Sequence, residues 1–204
     1  MLLSLNKFYF FYLNISMKSL IIFIFVLILI IYIKYDLKYN KKTELLQFTS
    51  DKITQDILFE KSPIIIEDKI NNILDFIGSV ISNEFFHKNN IKFNDIYKIN
   101  KNLSTYMIIH NNNKDIINVY ISNPNNKNKF RFIKSNSNSY SISNYTINNI
   151  NNINDVPFIK IILYPKQSII LPKQWLFIID KPVELYSLFG IISYIVSIFI
   201  IIFN

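Results

Sequence analysis

Imidazole, carboxylate, hydroxyl and lysine amine groups are the side chains with which this chain could do catalytic chemistry. It has no cysteine, which removes thiolate nucleophiles, thiolate zinc sites and disulfides together. Its two histidines, His87 and His110, stand 23 residues apart and make no recognised zinc spacing. His110-Asn111-Asn112 has the spacing of a His-x-Asp metal pair, but its third residue is an amide. A neutral amide is a poor substitute for a carboxylate on a divalent cation. His110 is therefore the single candidate metal ligand, and its plainer reading is a strand-end histidine at a turn. His87 reads as an exposed histidine at a helix end. No G-x-S-x-G is present, and Gly78 and Gly190 lie in apolar helical patterns rather than in a phosphate cradle. Asn102-Leu103-Ser104 and Asn144-Tyr145-Thr146 fit glycosylation acceptors, a match that an Asn-rich chain produces by chance. No catalytic and no cofactor-binding residue is assigned, and no cofactor is expected.

The elements that would position such groups follow from the apolar pattern. A short strand over 44–48 precedes a helix-like stretch opened by Ser50, a plausible N-cap, with Ile53, Ile57 and Leu58 on one side. Pro63-Ile64-Ile65-Ile66 reads as a buried strand. Ile70, Ile73, Leu74, Ile77 and Ile81 recur at helical spacing, with Glu67 and Asp68 favourably placed at the helix start. From about residue 104 the pattern changes to short strands between polar tracts: 105–110, 115–122, 129–134, 139–143, 157–163, 168–171, 175–180 and 183–187. Closely spaced short strands imply an antiparallel sandwich or barrel. The Asn-rich runs between them read as solvated turns.

Composition sets the outer limits. Ile, Asn, Lys, Phe (18) and Tyr (13) dominate, and Arg131 is the only arginine. These residues have A/T-rich codons, so much of the bias is genomic, and the source is an A/T-rich genome of viral, protist or bacterial type. A net charge of +8 ordinarily suggests nucleic acid or an anionic membrane surface. With arginine nearly absent, nucleic acid is not expected as a partner. Lys34, Lys38, Lys41 and Lys42 cluster beside the longest N-terminal apolar run, where headgroup contact is the simpler explanation.

That run, residues 19–33, is 15 residues without a charge between Lys18 and Lys34. It is slightly short for a hydrocarbon core of about 30 Å, and snorkelling of the flanking lysines covers the deficit. No small-x-small cleavage site follows, so an uncleaved anchor is expected over 17–35, with Ile21, Ile22, Phe23 and Phe25 in the bilayer. The lysines that follow it favour a cytoplasmic main domain. Residues 1–16 form an uncertain leader, because Met17 is an alternative start. Residues 185–203 are also uncharged over 19 positions, and read either as a second span or as a terminal helix over 188–204.

The segment from Tyr164 to Ser187, YPKQSIILPKQWLFIIDKPVELYS, resembles the last strands of the cupin-like JmjC proteins, which read G-D-x-L-y-I-P-x-x-W-W-H-x-V. Ile169, Leu171, Pro172 and Trp175 fall in frame. Lys61-Ser62-Pro63-Ile64-Ile65-Ile66 is similar to the family's opening strand, and Asn118-Val119-Tyr120 followed by Lys129-Phe130-Arg131-Phe132 to its central pair. The resemblance covers residues 43–187 and implies a double-stranded β-helix, or jelly roll. The expected fold is thus mainly β with α: a jelly roll preceded by short helices and an N-terminal transmembrane helix. The family's iron site needs a His-x-Asp/Glu pair and a distal histidine. Phe177 stands at the distal histidine position and Lys166-Gln167 at the Gly-Asp position, so the resemblance implies a domain whose ligands are lost. Pro63, Pro172, Trp175 and Phe177 are then core residues of the motif. The expected function is a membrane-anchored, non-catalytic domain with a structural or binding role toward the bilayer and an unknown protein partner. The rivals are an Fe(II)/2-oxoglutarate oxygenase with an atypical site at His110, and an unrelated small membrane scaffold. By analogy with the membrane proteins of large DNA viruses, a virion or host membrane is the expected setting.

Overall fold

A computed structural model describes residues 44–81, 87–135, 137–146 and 156–190, together with positions 17, 19–27, 29–31 and 34. The chain divides into two units, Met1–Lys38 and Tyr39–Asn204. In the first unit every described position is helical and every described side chain is exposed, Ile22 at 64% and Phe25 at 66%. Ile21, Phe23 and Lys34 share that helical state, whereas Lys18 lies outside the described residues. Among the described residues no helix is long and apolar enough to cross a membrane.

The second unit is mainly β, with a few short helices. Its isoleucine runs make strands because β-branched side chains suit a pleated surface. Twelve strands are described: β1 (Leu46–Phe48), β2 (Ile64–Ile66), β3 (His87–Phe93), β4 (Lys98–Asn102), β5 (Tyr106–His110) and β6 (Ile117–Ser122). The others are β7 (Phe132–Lys134), β8 (Tyr140–Thr146), β9 (Ile159–Leu163), β10 (Ser168–Pro172), β11 (Leu176–Ile179) and β12 (Val183–Phe189). They form two six-stranded sheets, ordered β1-β2-β10-β5-β12-β3 and β7-β8-β4-β11-β6-β9. Four antiparallel pairs are nested: β3 with β12, β4 with β11, β5 with β10, and β6 with β9.

The main core lies between the sheets, where Met107, Ile109, Leu171 and Leu185 meet Val119, Ile121, Trp175, Phe177 and Ile179. A second core covers the outer face of the first sheet. There Ile53, just after the 3-10 turn Ser50–Lys52, Leu58 of the helix Gln55–Phe59 and the segment around Ile73–Phe76 pack on Ile108, Ile170, Tyr186 and Leu188. Covered on both faces, β5 and β10 are buried at every position, which explains their unbroken apolar character.

Three elements differ from the pattern read in the sequence. The helix expected over 70–81 is only Ile73–Phe76 continued by a π-turn, Ile77–Ile81. Asn72, whose side chain accepts from Leu74 N and Asp75 N, caps it two residues after Ile70. Asp68 is instead taken by Ser50, accepting from its backbone N at 2.7 Å and from its hydroxyl. The strand expected over 129–134 begins as a 3-10 turn, Pro124–Lys129, because Asn123 caps it with Pro124 at its first position. The uncharged run from Leu185, read as a span or helix, opens as strand through Phe189; residues 191–204 lie outside the described residues.

With two glycines in the whole chain, tight turns fall on other residues. Lys61, Tyr97, Lys166 and Gln174 adopt φ of 54°, 60°, 69° and 69°. Each such left-handed residue costs on the order of 1 kcal/mol, which the packed strands on either side must offset.

Candidate functional site

Alternation along β4 sends Ile99 outward, into a cluster with Leu176 and Ile178, and turns Asn100 and Asn102 toward the inter-sheet core. On neighbouring β11, Phe177 lies opposite Asn100, and Trp175 O accepts from Asn102 N at 3.0 Å. Asn100, Asn102, Trp175 and Phe177 thus make one block on the inner face of the second sheet, each 0% exposed. The turn that delivers Trp175 is closed by Pro172, whose carbonyl accepts from Asn102 Nδ2 at 3.0 Å. Pro63 is also buried, and its carbonyl accepts from Leu46 N at 3.0 Å where β2 pairs with β1.

The two amides of this block differ. Asn102 donates to Leu171 O and Pro172 O, and accepts from Ser104 N at 2.9 Å and Ser104 Oγ at 2.6 Å. Asn100 donates to Lys98 O at 2.7 Å, but its Oδ1 has no partner, and neither has Trp175 Nε1. Phe177 fills the centre with two other rings. Its centroid is 5.8 Å from that of Phe93 and 6.2 Å from that of Tyr140, while Phe93 and Tyr140 meet edge-on at 5.4 Å. Tyr140 donates to Asp95 Oδ2 at 2.9 Å; burial first, then Asp95, pushes its phenol well above the usual range.

This block does not fit a divalent cation. Phenylalanine has no lone pair, the Asn102 amide is committed at both ends, and Asn100 offers one neutral oxygen. Among the described residues no group of three or more His, Asp or Glu could hold a metal ion.

His110 lies on the other side of the first sheet. It alternates with Ile109, which faces the inter-sheet core, and so shares the outer face with Ile108. Ser168 and Glu184 stand directly opposite it on the two flanking strands. Its Nδ1 is 2.8 Å from Ser168 Oγ, and the ring is 2% exposed. Burial, assisted by the nearby Lys166 ammonium and opposed by Glu184, lowers its pKa to about 4. Glu184 accepts from Tyr186 OH. Ser168 is 0% exposed, so this row cannot present a hydroxyl to a substrate. His110 therefore belongs to a different face from Phe177, and the sequence spacing that set it near a metal position does not bring it there.

His87 is the first residue of strand β3, not the end of a helix. Sequence reasoning missed β3 and β4 altogether, and with them Asn100 and Asn102. The signal that was available is the alternation Ile99-Asn100-Lys101-Asn102, in which the inward residues are the amides.

A comparison of the chain with models of known protein families found no match, and a comparison with curated proteins found none either.

Proposed function

We propose that the chain is a membrane-tethered, non-catalytic jelly-roll domain of cupin-like type with a structural or binding role. The nested pairing of β3 with β12, β4 with β11, β5 with β10 and β6 with β9 supports the jelly-roll reading. Wrapping one long hairpin into a roll pairs strands in this way, counting inward from its two ends. Lys166 adds to it: at the position where the resembled family carries glycine, the chain adopts φ 69°, a conformation glycine enters freely. The observation that carries the loss of chemistry is Phe177. At the distal histidine position it is fully buried against Phe93 and Tyr140, with amides, not carboxylates, beside it. The tether rests on the uncharged run 19–33, whose described residues are helical with exposed apolar side chains. A virion or host-membrane setting is an extension by analogy.

Elemental analysis of the purified full chain tests the non-catalytic reading. Iron and zinc are expected far below one per chain; a stoichiometric metal that survives dialysis would overturn it. Protease protection on intact membranes, with a tag at each end, tests the tether. The expected outcome is a C-terminal part digested from the cytoplasmic side, and extraction of the chain by carbonate would defeat the anchor.

A further inference from the structure

The described edge strands are β1 and β3 in the first sheet and β7 and β9 in the second. A sheet edge exposes unpaired backbone N–H and C=O groups, which short strands or charged side chains ordinarily protect. β1 and β7 are three residues each. β3 is longer but exposes Lys88, Asn90 and Lys92. β9, IKIIL, is five residues long with Lys160 as its only charge, the least protected of the four. Among the described residues no strand pairs with its free side.

The face beside this edge is apolar too. Ile161 and Leu163 point into the inter-sheet core, so by alternation Lys160, Ile162 and Tyr164 share the outer face. Ile162 is 48% exposed and Tyr164 54%. The β6–β9 register, continued one step beyond Ile117 and Leu163, sets Ile116, 44% exposed, opposite Tyr164. Three large apolar side chains therefore adjoin an unpaired edge, the combination that marks a protein contact.

We propose that the β9 edge is an interface for a second copy of this chain, joining the two second sheets into one continuous antiparallel sheet. The strand is self-complementary in one register about a two-fold axis. Centred on Lys160, the pairing would oppose two ammonium groups; centred on Ile161, it would set each ammonium against Ile162. Centred on Ile162, it sets Ile162 against its own copy and each Lys160 against the ring of Tyr164 in the other chain. On the inner side Ile161 then lies opposite Leu163. The contact is isologous, so it closes at a dimer and uses up both β9 edges. It is smaller than the roughly 1,200 Å² of a standard interface, so association is reversible.

Because the chain has no cysteine, a single introduced thiol reports on one position. In the detergent-solubilised full chain, Ile162→Cys is treated with a short bis-maleimide, and Lys92→Cys on the β3 edge serves as the collision control. The expected result is cross-linked dimer for Ile162→Cys well above that control. Sedimentation of the cysteine-free chain reads the equilibrium itself. Tyr164→Lys sets a second ammonium opposite that of Lys160 and should weaken the dimer about tenfold. Adding Lys160→Glu to the same chain makes that pair attractive and should recover it. Both positions are exposed, so the fold tolerates the changes. A parent chain monomeric at every concentration, which would leave the edge to some other strand, would overturn the proposal. So would cross-linking no greater than the control, or a dimer that Tyr164→Lys does not weaken or Lys160→Glu does not recover.

Discussion

The inner block of the second sheet and the outer row of the first sheet both bury polar side chains, but they settle them differently. In the outer row, His110 finds Ser168 and Tyr186 finds Glu184, so each polar group has a neighbour and three of the four are ionisable. In the inner block, every group is neutral, and one oxygen and one indole N–H go without partners amid rings and aliphatics. The outer row makes the fold sensitive to pH. The inner block makes it insensitive to pH but dependent on shape and on one amide, Asn102. A block without ionisable groups has no electrostatic lever, and what it contributes is packing in the core between the two sheets.

The sharpest way to break this comparison is Asn102→Leu. The change strips Leu171 O and Pro172 O of a donor and Ser104 of its acceptor. Leaving several buried groups unpaired costs about 3–5 kcal/mol in denaturant unfolding of the full chain. A loss below about 1 kcal/mol would mean that the turn from Pro172 to Trp175 does not depend on this amide.

Next in size is the pH response of the outer row. The folded pKa of His110, about 4, lies below its ordinary 6.5, so the unfolded chain binds the proton more readily. Stability is therefore full above pH 6.5 and is lost as pH falls toward 4, by roughly 3 kcal/mol at most. His110→Gln, which can still hydrogen-bond Ser168, removes that part of the slope. Parallel slopes for the parent and the variant between pH 7 and 4 would defeat the assignment.

A finer probe is Asn100→Leu, two residues from Asn102 on the same face. Only the bond to Lys98 O is lost, while an orphaned buried acceptor disappears. The two effects offset, and stability stays within about 1 kcal/mol of the parent. A loss as large as that of Asn102→Leu would show that Asn100 Oδ1 has a partner after all. Measured together, the two variants separate a satisfied amide from an unsatisfied one at equal burial.

Legibility in the sequence followed polarity. Strands such as β2, β5, β10 and β11 are built around runs of apolar residues, and their positions could be read from the chain directly. Strands β3, HKNNIKF, and β4, KINKN, were missed because a polar strand looks like a loop until its pairing is known. β4 is central in its sheet and bears half of the inner block, so the candidate site could not be assembled from sequence. The expected helix over 70–81 failed for the opposite reason. Of its apolar positions Ile70, Ile73 and Ile77 are buried, but Leu74 is 62% exposed, and the asparagine cap starts the helix late. Face and element are separate inferences, and periodicity gave only part of the first.

Lys166 lies beside the outer row, and the smallest of these effects is measured there. Its left-handed backbone, φ 69°, costs on the order of 1 kcal/mol that glycine would not incur. Lys166→Gly relieves it, against the greater freedom of glycine in the unfolded chain and the loss of the exposed bond from Lys166 Nζ to Asn112 Oδ1. The net gain is about 0.5 kcal/mol. The same change removes the cation that helps to hold the His110 pKa down, so that pKa rises, and the pH-dependent loss of stability shrinks accordingly. Burial of the ring, the larger cause, stays in place, so the rise remains a fraction of the full return to 6.5. An NMR titration of the His110 ring in both chains reads this shift. If the pKa stayed put while stability rose, Lys166 would act on the turn alone, and the outer row would owe its pH response to burial without help from its neighbour's charge.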